Sequence, residues 1–146
     1  MAISDDWDLN YANTVLSHID GVLSFDTGSG RAPVVGEYVY GATSGATAKV
    51  LAVTGNTTSG TLDLTNVNGL FEDNELLEVL SELNFDAVTA NNGGFAVGDT
   101  IVDQVTGTMD VKVIEYNADG LGGGTAYGTS FTAFTNNSQL DISGGQ

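Results

Sequence analysis

Residues 35–39 read Val35-Gly36-Glu37-Tyr38-Val39, and residues 97–101 read Val97-Gly98-Asp99-Thr100-Ile101. Each is Val-Gly-acid-x-β-branched. In both places a second apolar run follows after a glycine turn, Ser44-Gly45 in one and Thr106-Gly107 in the other. With one extra residue allowed in the second copy, Ala48-Lys49-Val50-Leu51-Ala52-Val53 falls on Val111-Lys112-Val113-Ile114-Glu115-Tyr116. Strand, turn, strand is a β-hairpin, and its recurrence is the mark of a body built from repeated units. A third fragment, Phe71-Glu72-Asp73-Asn74-Glu75-Leu76-Leu77, parallels Phe95-Ala96-Val97-Gly98-Asp99-Thr100-Ile101. The glycine before the acid permits a bend into the strand, and Asn at position 74 tolerates the same backbone.

The composition agrees with strands. Gly, Thr, Asn, Asp, Ser, Val and Ala dominate the 146 residues, while Lys and Arg together number 3 and Met 2, so good helix formers are scarce. The expected fold is all-β, a small β-sandwich or β-barrel-like body of repeated hairpins. Period-two alternation predicts that Val50, Leu51, Val53, Leu62, Leu64, Val111, Val113 and Ile114 are buried. Leu76, Leu77, Val79, Leu80 and Leu83 instead fall at helical spacing, with Glu75, Glu78 and Glu82 opposite. The repeat argues for strand at least from Glu75 to Val79, and strand is favoured for the stretch, with a short helix as the alternative.

Outward from the repeat, Trp7 to Tyr11 alternates, Thr14 to Ile19 is rich in β-branched residues, and Asp20-Gly21 is a hairpin signal before Val22 to Phe25. Gly28 to Pro33 reads as a linker. It separates an N-terminal β arm, residues 1–30, from a body spanning residues 31–146. Asn117 to Gly124 reads as a loop, Tyr127 to Thr135 as a strand, and Gln139 to Ile142 as a last short strand.

The formal net charge is −16, with only Arg31, Lys49 and Lys112 positive. Nucleic-acid phosphates and anionic membranes are bound by clustered Lys and Arg, so neither is an expected partner. The acidity implies solubility, or complementarity to a basic partner or cations. There is no Cys, hence no disulfide or thiolate site. The start of the chain is acidic without an apolar core, which predicts no signal peptide, and no apolar run approaches the length of a membrane-spanning helix.

Catalytic chemistry is not expected. His18 is the sole histidine, and no local motif gives it a nucleophile to serve or enough partners for zinc. The acidic groups Asp5, Asp6 and Asp8, and Glu72, Asp73, Glu75, Glu78 and Glu82, read as solvated faces and turns rather than a glycosidase pair. Asn117-Ala118-Asp119-Gly120 resembles the start of a calcium loop but lacks the downstream acid of an EF-hand. The glycines of 41–45 and 120–124 carry no Gly-Lys-Ser/Thr ending, so they are not phosphate cradles. Trp7, Tyr11, Tyr38, Tyr40 and Tyr127 could form a sugar platform, although single aromatics in strands usually pack in the core. No catalytic, cofactor or metal residue is therefore assigned.

Residues 35–50, followed by Gly60-Thr61-Leu62-Asp63-Leu64-Thr65-Asn66-Val67 and Phe71, resemble a module of tailed-bacteriophage virion proteins. Its form is G-E-x-V-x-G-x-T-S-G-A-T-A-x-V, then a strand, then N-V-x-G-x-F. Residues 35–77 match it well and 95–116 weakly, since the second copy lacks the Thr-Ser-Gly-Ala-Thr core and Asn74 stands where the pattern has Gly. Trp7-Asp8-Leu9-Asn10-Tyr11 with Ile19-Asp20-Gly21 is similar, more loosely, to openings of phage particle proteins. The resemblance implies a structural protein of the virion, assembled in the bacterial host cytoplasm. Size and acidity favour a capsid decoration or cement protein on the outer surface, a homo-oligomer bound to the major capsid protein. A tail, neck or fibre component, including a host-binding one, is the alternative, and a glycan- or calcium-binding accessory domain is a third reading.

Overall fold

The computed structural model describes residues 21–26, 31–86 and 94–143. Among them there is no helix. The chain forms two compact units, meeting in sequence between Val79 and Leu80, and each holds one open five-stranded antiparallel sheet. The fold is all-β, with a free edge at both sides of each sheet among the described residues.

In the first unit the strands are β1 (Gly21–Phe25), β2 (Tyr38–Gly41), β3 (Thr47–Gly55), β4 (Gly60–Asn68) and β5 (Leu77–Val79). They lie in the order β1-β4-β3-β2-β5. The second unit has β6 (Ser81–Phe85), β7 (Thr100–Asp103), β8 (Thr108–Tyr116), β9 (Gly124–Thr132) and β10 (Leu140–Ile142). Its order, β6-β9-β8-β7-β10, is the same. The repeated object is thus the whole five-stranded sheet, not only its central hairpin.

Register confirms the equivalence. Leu23 and Phe25 of β1 face Leu62 and Gly60, while Leu83 and Phe85 of β6 face Ala126 and Gly124. Gly36 N–H donates to the Val50 carbonyl (2.8 Å), as Gly98 N–H does to the Val111 carbonyl (3.0 Å). Val50 therefore corresponds to Val111, where the sequence reading set Ala48 against Val111. The second copy is one residue shorter here, not longer. The shared Lys-Val pairs, Lys49-Val50 and Lys112-Val113, had pulled the alignment out of place.

Each unit has its own core. Leu23, Val39, Ala46, Ala48, Val50, Leu62, Leu64 and Phe71 form the first. Phe85, Phe95, Ile101, Met109, Val111 and Ala126 form the second, where the Phe85 and Phe95 rings meet edge-on at 5.3 Å. Of the residues predicted to be buried, Val50, Leu62, Leu64 and Val111 are, but Leu51, Val53, Val113 and Ile114 are only half-buried. The cause is a register irregularity in each copy, between Val50 and Ala52 and between Val111 and Val113. A bulge inserts one residue and breaks the alternation. The next side chains to reach the cores are Val53 and Ile114.

Strand rather than helix holds for the leucine-rich stretch, while the expectation for the N-terminal arm changes. Residues 77–85 are strand, in β5 and β6, with the buried Leu80 between them, so the helical spacing of the leucines does not become a helix. Of the expected arm, residues 21–25 are instead β1, paired along β4 with Leu23 in the core. Gly21 therefore opens a strand that covers one side of β4. Residues 1–20 and 27–30 lie outside the described residues.

Candidate functional site

Four turns of one design enter β2, β5, β7 and β10. They are Val34-Val35-Gly36-Glu37, Glu72-Asp73-Asn74-Glu75, Ala96-Val97-Gly98-Asp99 and Thr135-Asn136-Asn137-Ser138. In each, the fourth N–H donates to the first carbonyl, at 3.2, 3.4, 3.1 and 3.1 Å respectively. The third residue has positive φ: 95° at Gly36, 61° at Asn74, 99° at Gly98 and 60° at Asn137. Gly and Asn are the residues that adopt this conformation at low cost. In each turn the first three residues are exposed and the fourth is half-buried.

The acid in the fourth position is a backbone clamp. Val34 N–H donates to the Glu37 carboxylate (2.8 Å), Glu72 N–H to Glu75 (2.7 Å) and Ala96 N–H to Asp99 (2.8 Å). The fourth turn has Ser138 instead, and a carboxylate arrives from elsewhere. Asp103, at the end of β7, accepts from Thr135 N–H (2.8 Å) and from the Ser138 hydroxyl (3.3 Å). Its other oxygen accepts from Val105 and Gly107 N–H, at 2.9 and 2.7 Å. Glu75 does the same work in the first unit, accepting from Thr43 N–H (3.0 Å), Ser44 N–H (2.9 Å) and the Ser44 hydroxyl (2.8 Å) besides Glu72.

The two carboxylates occupy one structural station from opposite sides. Gly41 pairs with Leu77 as Asp103 pairs with Leu140, so Gly41 and Asp103 are equivalent, as are Glu75 and Ser138. A Cβ on Gly41 would lie 2.4 Å from the Glu75 carboxylate, so the glycine clears the space that this carboxylate fills.

Hydrogen bonding tunes these acids. Burial works to raise the Glu75 carboxyl, but donation from Ser44, Glu72 and Thr43 outweighs it and holds the group below the ordinary carboxylate range. Thr135, Val105 and Gly107 N–H groups hold Asp103 far below that range, against a smaller effect of burial. Asp110 is lowered chiefly by the Thr100 hydroxyl, which donates to it at 2.7 Å. The Glu37 carboxyl is lowered mainly by its bond from Arg31, whose guanidinium grips both oxygens.

The cations are engaged within the fold: Arg31 by Glu37, Lys49 over the Tyr38 ring at 5.5 Å, and Lys112 by the charge of Asp110. Of the proposed sugar platform, Tyr38 and Tyr127 are buried, and Tyr38 accepts a hydrogen bond from the Asn66 side chain (3.2 Å). Trp7, Tyr11, His18, Asp5, Asp6 and Asp8 lie outside the described residues. Asp119 accepts from Leu121 N–H (2.9 Å), and Asn117 N–H closes the loop onto the Gly123 carbonyl (2.8 Å), a turn complete in itself. No group of three or more His, Cys, Asp or Glu is placed to hold a metal ion among the described residues.

A groove of about 1010 Å³ lies in the first unit, between β1 and residues 71–77. Leu23, Phe25, Phe71, Arg31, Glu72 and Glu75 face it, a mixed lining in which Arg31 and Glu75, two of its charged members, are already paired in the bonds above.

Sequence reading missed the fourth turn and the outer strands of the repeat. Phe71, Phe95 and Phe134 each precede a turn residue and mark three of the four turns, but Ser138 in place of the acid hid the last. Leu23-Ser24-Phe25-Asp26 and Leu83-Asn84-Phe85-Asp86 are the signal that would have paired β1 with β6. No protein-family model matches the chain, and neither a curated protein nor a solved structure does.

Proposed function

We propose that this protein is a structural component of a tailed-phage particle, a decoration or cement protein on the outer capsid surface that binds the major capsid protein, and not an enzyme. The observation that supports this best is the doubling of one sheet unit around a sequence module that resembles those of phage virion proteins. A protein with two like units on a lattice of like subunits gains avidity from modest contacts. The use of carboxylates held below their ordinary range as backbone clamps is what a rigid scaffold needs. With the chain's three cations each engaged by its own residues, a net charge of −16 faces a partner or solvent, which suits an outer position away from packaged DNA.

Particles prepared without the protein provide the test. They should lose infectivity faster than complete particles on heating or at low ionic strength, and purified protein added back should restore them. Full stability with loss of attachment to host cells would replace the cement reading by the tail or fibre reading. So would labelling that places the chain on the tail alone.

A further inference from the structure

The four turns share a backbone but not a surface. The two that enter β5 and β10 present polar residues, Glu72-Asp73 and Thr135-Asn136. The two that enter β2 and β7 present apolar ones, Val34-Val35 and Ala96-Val97. Val35 is 63% exposed and Val97 is 62% exposed. Most residues identical between the units have a reason within the fold: Leu23 and Leu83, Phe25 and Phe85, and Val50 and Val111 pack inward, while Gly36 and Gly98 supply positive φ. Val35 and Val97 have none. The turn itself does not require valine, since Asp73 and Asn136 fill the same position. Each valine is held out by a clamped turn, so little freedom is lost when it is covered.

We infer that Val35 and Val97 are twin contact points, each seating in the same apolar hollow on two neighbouring copies of one coat-protein subunit. Two equal knobs on one chain call for two equal sites, and a lattice supplies them. The acidity of the chain specifies the rim. It carries −16 overall, so a hollow edged by basic residues fits where an acidic one would be repelled. This assignment rests on the capsid reading above.

The turn at 135–138 provides the substitution for a test, because it places asparagine where the valines stand. Val35→Asn and Val97→Asn change no charge and touch no core residue, so circular dichroism and the unfolding midpoint should match the unaltered protein. Binding of the full-length chain to particles lacking it is then measured by co-sedimentation across a concentration series. Each single variant should bind about tenfold more weakly, the loss of one covered valine, and the double variant should fall by more than either. Binding by the double variant equal to that of the unaltered chain would overturn the assignment while leaving the capsid reading intact. Weakening by only one of the two substitutions would also overturn it, since the twin sites would not exist. An unaltered chain that does not bind the particles would overturn both readings.

Discussion

At the scale of single residues, the most informative pair is Gly41 with Glu75 against Asp103 with Ser138. In both units one carboxylate receives N–H groups from the hairpin loop, Thr43 and Ser44 or Val105 and Gly107, and from the facing turn, Glu72 or Thr135, but it comes from opposite partners. A station that needs one anion holds it from either side, and a second anion there would meet the first at close range. Exchange between the two solutions follows as a prediction. Gly41→Asp alone should destabilise the protein, because it drives a Cβ and a second charge against Glu75. Glu75→Ser alone should cost about 1–2 kcal/mol, the loss of charge-assisted bonds at a partly exposed site. Combined, they rebuild the arrangement of the second unit, and the double variant should be more stable than Gly41→Asp alone. Urea unfolding of the four proteins closes the cycle; simple additivity would show that the two positions do not share one station. None of this was legible in the sequence, because Glu75 and Asp103 occur at different points of the repeat and only the pairing of β2 with β5 and of β7 with β10 brings them to one place.

At the scale of elements, the strands were legible where alternation is unbroken and misread where a bulge interrupts it. Leu62 and Leu64 were found by period two, since β4 runs regularly between them, and Val50 was found because it precedes the irregularity in β3. Beyond Val50 the period failed, because one added residue moves the inward face from Ala52 to Val53. The leucines of 76–83 carried a helical spacing that two short strands override; backbone pairing of Leu77–Val79 with β2 and of Ser81–Phe85 with β9 satisfies their polar groups. The bulge can be tested against the size of the side chains. Val53 packs against the first core whereas Leu51 does not, although leucine is larger. Val53→Ala should therefore destabilise by about 1 kcal/mol and Leu51→Ala by less, the reverse of their volumes. Thermal unfolding of both variants decides it: a greater loss from Leu51→Ala would mean that alternation continues through residue 52.

At the scale of the whole chain, duplication and charge act together. Doubling the unit doubled a surface on which 19 acids stand against 3 bases. Net charge of this size works against any compact state through self-repulsion, and salt weakens that repulsion as the Debye length falls from about 30 Å at 0.01 M to about 8 Å at 0.15 M. Stability should rise over this range, on the order of 1 kcal/mol or about 4 °C in the unfolding midpoint. Acid has two opposed effects. As pH falls from 7 toward the isoelectric point near 4.1, ordinary exposed carboxylates take up protons, and the repulsion fades. Glu75 and Asp103 behave differently. Their folded-state carboxyls are lowered by the backbone N–H groups they clamp, so the stability they give is fully present above the unfolded carboxylate range and disappears only as pH falls through their lower folded values. The clamps therefore outlast the repulsion. The unfolding midpoint at low salt should climb between pH 7 and about pH 4.5, pass a maximum, and then drop on the acid side as the clamps are protonated. Glu75→Gln should flatten the acid drop while lowering the midpoint at neutral pH. A midpoint that declines steadily from pH 7, in the unaltered protein at low salt, would show that the clamped carboxylates do not govern the acid side.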